Sequence, residues 1–220
     1  MTLRQVYQAL LGAYGPQHWW PGETPFEVMV GAVLTQNTAW SNVEKAIANL
    51  KANAALDPAV IAGARHERLA SWLKPSGYFN IKARRLSNFC RWYLDAGGLP
   101  ALQPLATTEL RHRLLAVNGI GPETADDILL YAFERPVFVI DAYTRRLFRR
   151  LGLVDGEESY EQLRHHFEEG LGRRQANVPL FNEYHALIVA HAKEACRTRP
   201  LCDACCLRRR CPREGLPQNE

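Results

Sequence analysis

Five of the six cysteines, Cys196, Cys202, Cys205, Cys206 and Cys211, fall within sixteen residues of one another, and Cys90 stands apart. In a chain that starts without a charged segment leading into an apolar run, such crowding favours metal binding over disulfides. Four thiolates spaced Cys196-x5-Cys202-x2-Cys205-x5-Cys211 can hold a [4Fe-4S] cluster or a tetrahedral zinc ion. The single C-x2-C pair leans towards iron, because most zinc ribbons use two such pairs. Cys206 competes with Cys205 as third ligand, and Cys90, on an apolar helix face, reads as core. Between Arg197 and Arg213 there are six arginines against the single acid Asp203. That local positive field suits a polyanion, although a charge run taken alone is more often a solvated face.

A second group of residues lies mid-chain. In Leu115-Ala-Val-Asn-Gly119-Ile-Gly121-Pro-Glu-Thr-Ala125 two glycines stand two apart, Pro122 occupies a natural first helical position, and apolar residues follow at helical spacing. The reading is a helix, a tight turn and a second helix. Glycines there permit positive φ and close approach, and the free N–H groups opening the second helix can hold a phosphate oxygen. Taken alone, the same pattern is a plain helical corner. Twenty residues beyond Gly121 comes Asp141, in Val139-Ile-Asp141-Ala-Tyr143-Thr-Arg145, with an apolar lead-in that predicts partial burial. By itself Asp141 is a helix cap. Arg145, Arg146, Arg149 and Arg150 form i,i+4 pairs on the helix that follows, a phosphate-seeking face or a solvated one.

The elements that must position these residues are short amphipathic helices broken by Gly and Pro, expected over about 3–14, 26–35, 41–52, 66–73, 79–96, 107–116, 122–133, 142–151, 159–171 and 179–195. The fold class is all-α. Val137 to Ile140 reads as a lone strand or a buried connector. The Gly/Pro clusters at 15–25, 75–77 and 97–104 read as ordinary turns, and no repeat or long linker divides the chain. With 220 residues and a net charge of +4, the chain can bury a sizeable core. No apolar run reaches membrane-spanning length, so the expected location is the cytoplasm and no membrane partner is expected.

Together the glycine turn, the Val-Ile-Asp after it and the terminal cysteines resemble the helix-hairpin-helix (HhH-GPD) DNA glycosylases typified by endonuclease III, over nearly the whole chain. The first cysteine interval is one residue shorter than is usual there. The resemblance implies two all-helical lobes. One, residues 25–135, is a six-helix barrel carrying the hairpin at about 107–133; the other, 1–24 plus 136–220, is built from both chain ends around the cluster. It further implies a monomer acting on damaged double-stranded DNA, with Asp141 as the catalytic carboxylate. Gly119, Gly121, Thr124, Lys82 and Arg145 would contact the DNA backbone, and Cys196, Cys202, Cys205 and Cys211 would hold a [4Fe-4S] cluster of structural role.

Bifunctional members of that family carry a lysine two residues after the second hairpin glycine, where this chain has Glu123. A carboxylate cannot form an imine, so a monofunctional enzyme is expected. The five lysines, Lys45, Lys51, Lys74, Lys82 and Lys193, all lie outside the hairpin. Trp19-Trp20-Pro21, Gln36-Asn-Thr-Ala-Trp40 and Gly77-Tyr-Phe-Asn-x-Lys82-Ala resemble the 3-methyladenine glycosylases of the endonuclease III-like branch, which share that Glu. By that likeness a flipped alkylated purine stacks on Trp20 with Pro21 and on Trp40, while Gln36 fills the gap left in the helix. A cationic ring is drawn to Trp faces by about 0.5–2 kcal/mol. The rival readings are a bifunctional glycosylase and AP lyase for oxidised pyrimidines, and a non-catalytic DNA-binding redox sensor.

Overall fold

The computed structural model describes residues 1–19, 22–172, 174 and 177–216. The described residues are helical and contain no strand. The chain divides into two compact units, Trp20–Glu134 and Met1–Trp19 with Arg135–Glu220.

Within Trp20–Glu134 the helices are α2 (Pro25–Leu34), α3 (Trp40–Ala52), α4 (Pro58–Gly63), α5 (His66–Leu73), α6 (Phe79–Asp95), α7 (Gly98–Leu102), α8 (Thr107–Leu115) and α9 (Pro122–Asp127). Thr24 caps α2 by accepting from the Glu27 amide at 3.1 Å, and Pro25 supplies the fixed φ of a first helical residue. Residues 27–34 are all buried, so α2 is the central helix, packed on by α3, α6 and α9. The sequence pattern missed α4 and α7. Asp57, which accepts from the Ala59 and Val60 amides, and Pro58 after it are a start signal for a helix too short to show a period. The cluster at 97–104, expected to be a turn, instead opens α7 on two positive-φ glycines. The helix expected over 122–133 is α-helical only to Asp127. It continues as a π-helical turn over Ile128–Ala132, closed by the Phe133 amide on the Ile128 carbonyl at 3.2 Å.

The second unit holds α1 (Leu3–Tyr14), α10 (Ala142–Arg150), α11 (Tyr160–Leu171) and α12 (Val178–Glu194). Capping boxes start α1 at Thr2 with Gln5 and α11 at Ser159 with Gln162. Its core is aromatic. Phe167 lies 4.6 Å, centroid to centroid, from both Phe138 and Phe148, and Tyr184 donates its hydroxyl to the Leu3 carbonyl at 2.7 Å.

Residues 137–140 form a buried extended connector, not a strand. An extended segment in a core needs partners for its polar backbone. Glu168 supplies one, accepting from the Phe138 amide at 3.1 Å while Arg164 ion-pairs with the same carboxylate at 2.9 Å. Glu168→Ala would strip that amide and the Arg164 guanidinium of their shared acceptor. Arg164 keeps its second carboxylate, Glu161 at 2.9 Å, so the main loss is the orphaned Phe138 amide, and the unfolding free energy in urea is expected to fall by about 1–3 kcal/mol, beyond the cost of most surface substitutions.

Candidate functional site

Asp141 stands where the buried connector ends and α10 begins, with the extended backbone of a cap residue. Oδ1 accepts from the Thr144 amide and from the Thr144 hydroxyl, each at 2.7 Å. Oδ2 faces Nε2 of His185, on α12, at 3.5 Å. The two side chains are 13% and 6% exposed, so this carboxylate is largely out of water. Burial pushes its pKa up, but the His185 contact and the two Thr144 donors outweigh burial and hold it below the ordinary aspartate value. Asp141 is therefore a buried anion at neutral pH. The Trp19 ring lies 5.9 Å from that of His185, covering part of the imidazole.

The arginines of α10 largely turn inward. Arg145 donates to the Glu158 carbonyl at 2.8 Å, and Arg146 to the Cys196 carbonyl at 2.9 Å. Arg150, 8% exposed, donates to the carbonyls of Arg197 at 2.5 Å and Thr198 at 3.0 Å, and to Cys196 Sγ at 3.4 Å. Only Arg149 of the four is exposed. The phosphate-seeking face expected of this helix is instead mostly a set of fasteners for the cysteine loop.

Cys196, Cys202, Cys205 and Cys211 line one pocket together with Arg150, His191, Leu147, Leu151 and Leu207. Cys206 is exposed and lies outside that lining; Cys90 is in the core of the other unit. Among the described residues, no three His, Cys, Asp or Glu side chains converge as ligands of one ion. Cys205 is pushed up to about 12 by the Cys206 hydrogen bond and by burial, and burial also raises Cys211. Binding of an electrophilic metal would release those protons. The four cysteines of that lining, with the Arg150 guanidinium on the first, are of the donor type that an iron-sulfur cluster takes, though they are not gathered about a single point.

In the Trp20–Glu134 unit, α8, the turn and α9 form the expected helix-hairpin-helix. Gly119 has φ +99°, and a Cβ there would collide with the Arg85 side chain. Gly121 is exposed with open space around its Cα. Gln36 is engaged by this turn: its Nε2 donates to the Gly119 carbonyl at 3.1 Å and to the Thr124 hydroxyl at 2.8 Å, and its Oε1 accepts from Arg85. Thr124 is buried, and Glu123 is exposed in the first turn of α9. Lys82 departs from the expectation of a phosphate contact. It is 1% exposed, its amine donates to the Ser76 carbonyl at 2.6 Å, and burial lowers its pKa to about 8. Trp40 opens α3, rests on Gly31 and lines a surface pocket with Glu23, Glu27, Glu44 and Lys51, where carboxylates outnumber the ammonium. Trp20 and Pro21 lie outside the described residues.

Sequence reasoning missed His185 and Arg85. An isolated histidine on a long helix, and one arginine among several on α6, carry no pattern that marks them. Both act through contacts made by folding.

Residues 30–173 match the model of the HhH-GPD superfamily of base excision DNA repair proteins. The chain is 43% identical over 212 residues to a protein named as a DNA repair glycosylase in Methanocaldococcus jannaschii, covering 94% of each. It is 32% identical to the solved 3-methyladenine DNA glycosylase of H. pylori, bound there to 1,N6-ethenoadenine, with a TM-score of 0.75 over 88% of this chain and 98% of that one. An endonuclease III in non-covalent complex with DNA shares the fold, with a TM-score of 0.81 at 20% identity over 96% and 94% of the two chains. The chain belongs to the HhH-GPD superfamily, whose members are base excision repair DNA glycosylases.

Thr144→Val removes the hydroxyl donor from Asp141 and keeps the shape. At neutral pH the unfolding free energy is expected to drop by about 1.5–3 kcal/mol, the range for a hydrogen bond to a charged group. Because the folded pKa of Asp141 is lowered, this contribution is full above the unfolded aspartate value and fades as pH falls through the folded one. Unfolding curves of the two proteins should accordingly converge in acid.

Proposed function

We propose that the protein is a monofunctional DNA N-glycosylase that flips alkylated purines such as 3-methyladenine from duplex DNA and hydrolyses their glycosidic bond, with Asp141 as the catalytic carboxylate. The buried, ionised state of Asp141 carries this reading. A ring alkylated at nitrogen is already a good leaving group, so little acid catalysis on the base is needed. What remains is to stabilise the oxocarbenium-like sugar and to orient or deprotonate water, and one anion out of bulk solvent does both. Flipping costs a few kcal/mol, least where damage has weakened pairing.

The substrate class is supported by the likeness to the H. pylori enzyme and by the carboxylates around Trp40, which favour a positively charged ring. Trp20 with Pro21 and Trp40 are proposed to stack on the base, and Gln36 to fill the vacated gap on release from the hairpin turn. Gly119, Gly121 and the amides opening α9 would grip a phosphate, and in the other unit the exposed arginines of the cysteine loop would attract the DNA backbone. The acidic Glu123 and the buried Lys82 argue against an imine step at these two positions. Cys196, Cys202, Cys205 and Cys211 are proposed to hold a [4Fe-4S] cluster that stiffens the basic loop; when bound, the cluster supplies structural cross-linking, not a catalytic step.

Chromatography of bases released from methylated duplex DNA tests the reading. The expected outcome is 3-methyladenine from the wild type and none from Asp141→Asn, with no covalent adduct trapped by borohydride on abasic DNA. Release of oxidised pyrimidines alone, or a trapped adduct, would establish the bifunctional alternative. Tight binding without release from any lesion would favour a sensor. Anaerobically purified protein should contain iron and sulfide in equal amounts.

A further inference from the structure

We propose that His185 is the positioning residue of the Asp141 carboxylate, fixing which lone pair faces the sugar and the attacking water. The inference rests on Asp141 being the catalytic group.

As a helix cap, Asp141 needs only the Thr144 amide, and its Oδ1 already accepts that amide and the Thr144 hydroxyl. Both donors lie on the same oxygen and the same residue, three positions along the chain. They anchor one end of the carboxylate and leave its plane free to rock. Oδ2 is the oxygen left for chemistry, and a group from a different helix confronts it: His185 Nε2 at 3.5 Å. At that separation the imidazole and the carboxylate meet as a charge–dipole or ionic contact, one that a small shift of either group would tighten into a hydrogen bond with Nε2–H donating, since carboxylate oxygens only accept.

Nothing in capping explains why a buried histidine should meet this oxygen. His185 is 6% exposed, in the middle of the 17-residue α12, with the Trp19 ring beside it. A residue so confined cannot follow a rocking carboxylate; the carboxylate must follow it. Two lone pairs sit on Oδ2, and a donor on one side directs the other. Anchoring Oδ1 through Thr144 and Oδ2 through His185 thus fixes the carboxylate plane from two separate elements, the pre-organisation on which an electrostatic catalyst depends.

The test compares His185→Met, which fills the space with no donor, with His185→Gln, whose amide can reach the same oxygen. Base release from methylated duplex DNA is followed under single-turnover conditions. Binding is measured separately on a duplex carrying a tetrahydrofuran abasic analogue. His185→Met is expected to slow the single-turnover rate by about ten- to hundred-fold, the cost of a small misplacement of a reacting group, with affinity for the analogue duplex unchanged. His185→Gln should recover most of that loss. A merely structural histidine would lower affinity and rate together, or be replaced equally well by either residue. A wild-type rate in His185→Met, or equal losses in both variants with binding intact, would overturn the inference. Asp141→Asn run alongside separates the two assignments. If it is silent while His185→Met is unaffected, the positioning role alone fails. If it is active, the catalytic reading fails and this inference with it.

Discussion

A carboxylate moved from water into a protein interior either finds donors or takes up a proton. Asp141 finds two, the Thr144 amide and the Thr144 hydroxyl, with the His185 imidazole in ionic contact at 3.5 Å. Much of its unit is arranged to make those donors available. The buried connector 137–140 delivers the backbone to the head of α10, Glu168 satisfies the connector on the way, and the aromatic cluster around Phe138 and Tyr184 holds α11 and α12 where they must be. Were the carboxylate neutral, the cap of α10 would weaken to a neutral hydrogen bond and the proposed chemistry would lose its charge.

The far end of the same helix is tied down with comparable care. Arg146 and Arg150 spend their guanidinium groups on carbonyls of residues 192–198, and the Cys211 thiol donates back to the Arg150 carbonyl at 3.2 Å. An ordered cysteine loop and an ordered α10 thus share the same hydrogen bonds. The loop has little apolar content with which to fold by itself, and a bound cluster would contribute folding energy to both.

Features set by neighbouring residues were readable in the chain. Gly119, Ile120, Gly121 and Pro122 specify a turn and a helix start within four positions, and Asp141 precedes its helix as caps do. The all-α class followed from period and punctuation. What escaped was set by distance along the chain. His185 reaches Asp141 across 44 residues, Gln36 reaches Gly119 across 83, and neither separation leaves a local pattern. The charges misled for a related reason. Lys82, Arg146 and Arg150 look like surface cations in one dimension, and only the fold supplies the carbonyls that draw them inside. The helices α4 and α7 were overlooked because five or six residues are too few to display a 3.6-residue period.

The proposed chemistry depends most directly on the ionisation of one side chain. Carbon-13 NMR of the aspartate carboxyls, with Asp141 assigned by its absence from Asp141→Asn, follows that ionisation without reference to substrate. The titration midpoint of Asp141 is expected below that of an exposed aspartate, as its donors require. A midpoint at or above the ordinary value would mean that burial wins over Thr144 and His185, and the buried anion at the centre of this account would not exist.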